Sequence, residues 1–250
     1  MMKILVCISN VPDTTTKIKL AADGKSVDMT GVQWVINPWD ELALTRALEL
    51  KETAGNTIEK VTVASVGAVD IEPTIRKALA IGADDAFRVD LNPGDAFQVA
   101  AELAALVNAN PYDIILCGIE SSDYNGAMVG GMLAELLGYP SVSSVSSLNI
   151  QGNAVSLTRE IDGGKQAIAI SLPFVAIVQK GIALEPRIPS MRGIMTARTK
   201  PLNVIAASGV DPLTAITGHS LPVPKSACRM VDAENVPELV RLLHEEAKVI

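Results

Sequence analysis

The 250-residue chain reads as an α/β protein: a doubly wound, mostly parallel sheet with helices on both faces, plus a β-hairpin and a long C-terminal arm. Three observations predict this. Hydrophobic residues make up 48% of the chain and aromatics only 3%, so the core must be aliphatic, which suits strands buried on both faces. Up to residue 140, short apolar runs alternate with helical patterns, the order expected of parallel strands joined by crossover helices. After residue 140 the hydrophobic period drops to two, and Ile161-Asp162-Gly163-Gly164 joins two strands into a hairpin.

Taken in order, residues 3–9 are a compact β-branched and Leu run, the first strand. It ends in Ser9-Asn10-Val11-Pro12-Asp13-Thr14-Thr15, a polar stretch whose proline makes it a loop. Residues 16–36 alternate loosely around an Asp23-Gly24 turn signal and predict a hairpin excursion. Asn37-Pro38-Trp39-Asp40-Glu41 is a helix start. Asn37 suits the cap, Pro38 the first helical position, and Asp40 and Glu41 the positive end of the dipole. A second strand follows at 60–66, then a helix capped by Asp70 and stopped by Gly82, a short strand at 86–89, and a helix opened by Asp95. Residues 113–117 form the next strand. The helix after it places Val129, Met132, Leu133, Leu136 and Leu137 at apolar positions and ends at Gly138.

The hairpin occupies 154–172, and residues 174–178 make another apolar strand. Residues 181–225 show no regular pattern and carry six prolines; so long a run is a functional loop or an interaction arm. Its first part is basic and Met-rich, which suits an acidic partner or packing on its own domain. Residues 235–247 form a last helix with Val236, Leu239, Val240 and Leu243 on one side. The chain thus divides into an α/β domain over 1–180 and an extended arm with a terminal helix over 181–250.

The stretch with most chemical content is 116–131, an apolar strand end, a loop of Gly, Ser, Asp and Asn, and a helix start. Unpaired N–H groups and the helix dipole make such a place an anion site, although the same spacing describes an ordinary strand–loop–helix crossover. Ligands of doubly wound sheets sit outside the carboxyl ends of the strands. Residues 7–10, 65–67 and 118–130 converge there from separate parts of the chain.

Other chemistries are poorly supported. A net charge of −7 and a pI near 4.9 argue against nucleic acid. The longest mostly apolar run, 167–178, is too short to span a bilayer and is broken by Ser171 and Pro173. Cys7, Cys117 and Cys228 have no CxxC spacing, and Met1-Met2-Lys3 leads into no signal-peptide pattern; together these predict reduced thiols and a cytoplasmic setting. The two histidines, His219 and His244, read as solvated surface residues. No GxSxG, Walker, GxGxxG or HExxH motif is present. This profile fits a binding or carrier protein better than a hydrolase.

Several motifs together carry a family resemblance. Lys3-Ile4-Leu5-Val6-Cys7-Ile8 is followed by Val11-Pro12-Asp13-Thr14, and Asn37-Pro38 opens the first helix. Ile75-Arg76-Lys77-Ala78-Leu79-Ala80 precedes Gly82-Ala83-Asp84. Arg159-Glu160-Ile161-Asp162-Gly163-Gly164 precedes Leu172-Pro173, Glu185-Pro186-Arg187 and Gly193-Ile194-Met195. In this order and spacing the chain resembles the β subunit of electron transfer flavoproteins along essentially its whole length.

The resemblance implies an αβ heterodimer that carries electrons from flavoprotein dehydrogenases, of the acyl-CoA dehydrogenase type, to an acceptor. It implies an FAD held mainly by the α subunit, and an adenine nucleotide in this subunit: AMP in simple carriers, a second FAD in electron-bifurcating members that take NADH as donor. The implied nucleotide contacts are Cys7, Ser9, Asn37, Pro38, Trp39, Asp40, Val66, Gly118, Ile119, Glu120, Ser121, Ser122, Asp123, Asn125, Gly126, Ala127, Met128 and Val129. The implied recognition loop covers 171–193, centred on Ile182, Ala183, Leu184, Glu185, Pro186 and Arg187. Three positions depart from the family. Ser9 replaces a Lys, Met128 replaces a Gln of the phosphate loop, and Ala183 replaces the anchoring Leu. A nucleotide-hydrolysing or adenylating enzyme, with Glu120 and Asp123 as its only metal carboxylates, and a stand-alone nucleotide sensor are the alternatives from other classes. No metal site and no catalytic residue is expected.

Overall fold

Successive residues of the first strand, β1 (Met2–Cys7), fall alternately into two cores. Ile4 and Val6 enter one, and Leu5 and Cys7 the other. The molecule is described from a computed structural model covering residues 1–152, 154–225 and 227–250. Its contacts divide it into two units, one of Met1–Ile18 with Met29–Thr217 and one of Lys19–Asp28 with Gly218–Ile250.

The first unit holds the sheet. After β1 come β2 (Asn10–Pro12), β3 (Trp34–Ile36), α1 (Pro38–Glu52), β4 (Ile58–Val66), α2 (Glu72–Ile81), β5 (Asp85–Asp90), α3 (Ala96–Ala109), β6 (Ile114–Gly118) and α4 (Val129–Leu137). They are followed by β7 (Ser141–Gln151), β8 (Ala154–Ile161), β9 (Gly164–Ile170), β10 (Phe174–Val178), α5 (Met191–Ala197) and β11 (Leu202–Ala206). Among the described residues nine strands form one sheet, in the order β11, β5, β4, β1, β6, β10, β7, β8, β9. Pairing is parallel from β11 to β7 and antiparallel through β8 and β9. The expected α/β class and hairpin are therefore present. The strand order reverses between β1 and β6, the switch point at which doubly wound sheets place ligands.

Both faces are covered, as the aliphatic composition requires. Ile114 and Leu116 of β6, and Phe174, Ala176 and Val178 of β10, join the core that also holds Leu44, Leu48, Ile75 and Leu79 of α1 and α2. Their alternates Ile115, Cys117, Val175 and Ile177 join the core with Leu103, Leu106 and Leu133 of α3 and α4.

The structure corrects several sequence-based expectations. Residues 141–151, assigned no element from sequence, are β7; its serines interrupt the apolar run, while Val142, Leu148 and Ile150 still point into the core. The stretch 181–225 is not wholly irregular. It contains α5, capped by the Ser190 side chain accepting from Gly193 N–H at 3.0 Å, and β11, which extends the sheet beside β5. No residue of β11 is buried and Asn203 interrupts its apolar run, so it lacks the unbroken apolar signal of the inner strands. Asp70 lies in a 3₁₀ turn, Val69–Ile71, and makes no side-chain cap. Asp95 does cap α3, accepting from Gln98 N–H at 2.8 Å. The excursion after β1 closes as the antiparallel pair β2–β3.

In the second unit Leu20 and Val27 form an isolated antiparallel bridge around Asp23, whose carboxylate accepts from Lys25 and Ser26 N–H at 2.8 and 2.9 Å. The expected terminal helix is α6 (Val236–Arg241), capped by Asn235 and prolonged by a wider turn, Leu242–Glu246.

α5 is seated on α2 by a backbone approach that only glycine permits. A Cβ on Gly193 would overlap the carbonyl oxygen of Ala80. Gly193→Ala should therefore push α5 off α2 and lower stability by about 1–3 kcal/mol, a loss that urea unfolding of the variant against wild type measures.

Candidate functional site

The switch point brings the carboxyl ends of β1 and β6 beside the start of α1. One side chain joins all three. Asp40, 4% exposed, accepts from Ser9 N–H at 2.8 Å and from Gly118 N–H at 3.0 Å. Its Pro-containing first turn fixes where that carboxylate stands. Gly118 has no room for a side chain: a Cβ would overlap Asp40 Oδ1 and lie 2.7 Å from Trp39 Cβ.

Asn37 does not cap α1 with its side chain, as its position suggested. Buried at 1% exposure, it reaches across to the loop after β6 instead, donating to Glu120 O at 2.8 Å and accepting from Ser122 N–H at 3.2 Å. Its own N–H donates to Ser9 O at 2.9 Å. Asn10, the next residue, accepts from Thr74 Oγ1 of α2 at 2.6 Å. The loop base is thus tied to the start of α1, and through Asp40 and Asn37 to Ser9 at the end of β1.

Beyond this base the loop stands free. Asp123, Tyr124, Asn125, Gly126, Ala127 and Met128 are exposed. Asn125 and Ala127 hold φ of +49° and +50°, left-handed values that non-glycine residues adopt at a cost. The N–H groups of Gly126, Ala127 and Met128 find no acceptor among the described residues, and those of the first turn of α4 have none within the helix. Met128 at the cap position supplies no acceptor either. This is a run of unsatisfied donors at a helix N-terminus, the chemistry that holds an anion. Residues 118–131 include Glu120 and Asp123 and no basic side chain, so any anion there is held by backbone dipoles.

Of the predicted contacts, Ser9, Asn37, Trp39 and Asp40 are brought to Gly118, Glu120 and Ser122, and Cys7 to Cys117 just before them. Val66 ends β4, next to β1 in the sheet, and Val129 begins α4. Cys7 and Cys117 stand side by side in register, both buried. The hydrogen bond with Cys117, and then burial, raise the Cys7 thiol well above its usual range, which keeps it neutral. One contributor escaped the sequence reading. Arg88, 4% exposed, donates to Gly67 O at 2.9 Å and pairs with Glu72 at 3.1 Å, fixing the loop after β4. Its only signal is a lone charge inside the apolar run 86–89.

The predicted recognition residues separate. Ile182 and Ala183 are buried at 3% and 6%, whereas Leu184 is 99% exposed. Arg187 is engaged within the chain, through its N–H to Thr45 Oγ1 at 2.9 Å and its guanidinium to Glu52 at 2.8 Å.

Comparison with known proteins places this architecture. The electron transfer flavoprotein domain family matches residues 25–210. The chain is 37% identical to the electron transfer flavoprotein subunit beta of Syntrophomonas wolfei, over 95% of this chain and 92% of that one. It is 35% identical to the Bacillus subtilis protein of the same name over the whole of both chains, and 32% identical to the human one over 99% of each. The chain belongs to the electron transfer flavoprotein β-subunit family. Among the described residues no helix is long and apolar enough to cross a membrane, and no group of three or more His, Cys, Asp or Glu is placed to hold a metal ion.

Within this member of the family, Asp40 has a measurable signature. Burial drives its carboxyl up to about 7, against the N–H donors of Ser9 and Gly118 and the Asn37 side chain, which favour the ionised form. The folded state therefore holds a proton that the unfolded chain releases, and Asp40 makes stability fall as pH rises from about 4 to about 7, by at most ~1.4 kcal/mol per pH unit. Asp40→Asn should flatten that contribution while losing one of the two N–H staples, at a cost of about 1–3 kcal/mol. Urea unfolding of both proteins from pH 5 to pH 8 separates the two effects: an unchanged difference across pH would place the titrating group elsewhere.

Proposed function

We propose that this chain is the β subunit of a heterodimeric electron transfer flavoprotein. In this reading it binds an adenine nucleotide on the loop 118–129 and docks on an α subunit that carries FAD. The pair then passes electrons from acyl-CoA-type flavoprotein dehydrogenases to an acceptor. The observation that carries the reading is the row of unsatisfied N–H donors at the switch point, in a chain of this family. The donor set fits a nucleotide phosphate, since it needs no cation and Ser9 and Met128 offer none. When bound, FAD supplies the redox chemistry, and the protein contributes position and electrostatics. No residue of this chain need act as acid or base. The free thiols Cys7, Cys117 and Cys228 accord with a reducing, cytoplasmic setting.

Two surfaces support partner binding. The second unit buries almost nothing by itself; among its described residues only Leu242 is buried, while Val236, Leu239 and Val240 of α6 lie exposed. Such a segment suits the α subunit. The other surface is an apolar strip of Leu184, Ile188, Met191 and Met195, 72% to 99% exposed, on a segment held down by Ile182, Arg187 and Gly193. It suits a dehydrogenase, with Leu184 as the anchor in place of the residue at 183.

A second FAD in place of AMP is the other reading, favoured by Val11-Pro12-Asp13-Thr14, which resembles bifurcating members. Co-purified αβ protein, denatured and assayed for released cofactor, should yield one FAD and one AMP per heterodimer; two FAD would establish the bifurcating form. Leu184→Ala should slow electron transfer from the dehydrogenase by about tenfold or more without altering the flavin spectrum. Loss of flavin on that substitution would instead place Leu184 in the subunit interface.

A further inference from the structure

The segment 180–200 carries charge of the opposite sign to the rest of the chain. It holds Lys180, Arg187, Arg192, Arg198 and Lys200 against a single carboxylate, Glu185, in a chain whose net charge is −7. Two of these cations are spent within the fold. Arg187 pairs with Glu52 at 2.8 Å, and Lys200 Nζ donates to the carbonyls of Leu79 and Ala83 at 2.9 and 2.6 Å. Lys180, Arg192 and Arg198 are exposed, and their side chains have no hydrogen bond or ion pair among the described residues.

The unpaired arginines stand on a firm support. Gly193 and Ala197, one helical turn apart, form the inner face of α5. Gly193 is pressed against Ala80 O and Ala197 is buried, while Arg76 holds the helix end by donating to Ala197 O at 2.9 Å and to Lys200 O at 2.7 Å. Helical spacing then puts Met191, Met195 and Arg198 together on the outward face, with Arg192 beside them. Met191 and Met195 are 77% and 72% exposed, and Leu184 is 99% exposed. Exposed apolar side chains with charged residues at their edge have the make-up of a protein-docking surface, an apolar centre within a polar rim. An anionic membrane asks for a denser cluster, about four to eight basic residues, whereas only Lys180, Arg192 and Arg198 stand unpaired here.

We infer that this surface receives an electron-donating dehydrogenase whose contact face carries Asp and Glu side chains around an apolar pocket. The pocket takes Leu184, and the carboxylates meet the planar guanidinium groups of Arg192 and Arg198. The inference rests on the carrier reading above and deepens it by giving the partner its charge. The rest of this acidic chain repels an acidic partner, so a local basic rim both speeds encounter and selects the one orientation in which the two faces attract.

The test uses the assembled αβ protein and an acyl-CoA dehydrogenase reduced by its substrate. Arg192→Glu combined with Arg198→Glu reverses both charges at exposed positions and leaves the support under α5 untouched. At low ionic strength the double variant should raise the KM for the carrier at least about tenfold, with the flavin spectrum unaltered. Raising salt from about 0.02 M to about 0.5 M should weaken wild type and close most of the gap between the two proteins. Leu184→Ala should stay impaired across the same series, and Arg192→Lys with Arg198→Lys should follow wild type. An unchanged KM in the Glu double variant, or a defect that salt does not alter, would overturn the inference. So would a wild-type protein that uses these arginines to bind phosphatidylserine vesicles, or to pair with itself in sedimentation, while dehydrogenase kinetics are the same in the variant. A wild-type αβ protein that the dehydrogenase does not reduce at all would overturn the carrier reading first, and this contact with it.

Discussion

The Asp40 carboxylate, shared between the N–H groups of Ser9 and Gly118, is the constraint on which the site depends. Parallel strands that diverge at a switch point leave their last N–H groups without sheet partners, and here a side chain from α1 satisfies two of them. Only a carboxylate has acceptors on both oxygens, so neither Asn nor Ser could replace it without loss. The requirement propagates outward. Gly118 must lack a side chain because Asp40 and Trp39 occupy its space, and α1 must begin at Pro38 for the carboxylate to arrive there. Asn37, freed from capping, then ties down Glu120 and Ser122. A buried carboxyl near neutrality is an expensive fastener, and its burial is tolerated because it organises three elements at once.

Much of this fold was legible in the sequence, for a physical reason. Strands such as β1, β6 and β10 are buried on both sides, so they appear as mainly apolar runs, and glycines stop the crossover helices α2 and α4. Legibility failed where that coupling is absent. β7 buries alternate residues and spends the others on serine, so its signal dissolves into the Ser-rich run 141–147. β11 is an edge strand only half covered, and the prolines around it resemble those of an irregular arm. The place of the site was readable from strand ends alone. The work of its residues was not: Asn37 looks like a cap in one dimension and becomes a cross-link in three, and Arg88 betrays itself only as a charge in an apolar run.

The same distinction orders the recognition segment. A sequence comparison sets Ile182, Ala183 and Leu184 side by side as equivalent candidates, but backbone direction makes them unequal. Ile182 belongs to the core and Leu184 to solvent. Arg187, basic and next to a proline, reads as a partner contact, yet it holds its own segment against Thr45 and Glu52 of α1. An exposed leucine is informative only because its neighbours are fastened: anchored on both sides, it is presented rather than merely uncovered.

The loop itself joins two opposite physical states within a few residues. At its base, from Gly118 to Ser122, buried hydrogen bonds to Asp40 and Asn37 leave little freedom. At its tip, from Asp123 to Met128, side chains are exposed, two residues hold left-handed φ values, and successive N–H groups lack acceptors. The two left-handed φ values are a cost to the isolated chain, whereas the exposed N–H groups without a protein acceptor are open to water. An anion would replace water on these donors with a charged acceptor, and the hydrogen-bonded base at Gly118 to Ser122 fixes where the donors point. In the proposed carrier a nucleotide phosphate would be held by backbone N–H groups, which leaves the Met128 side chain free to stand where the resemblance expects an amide.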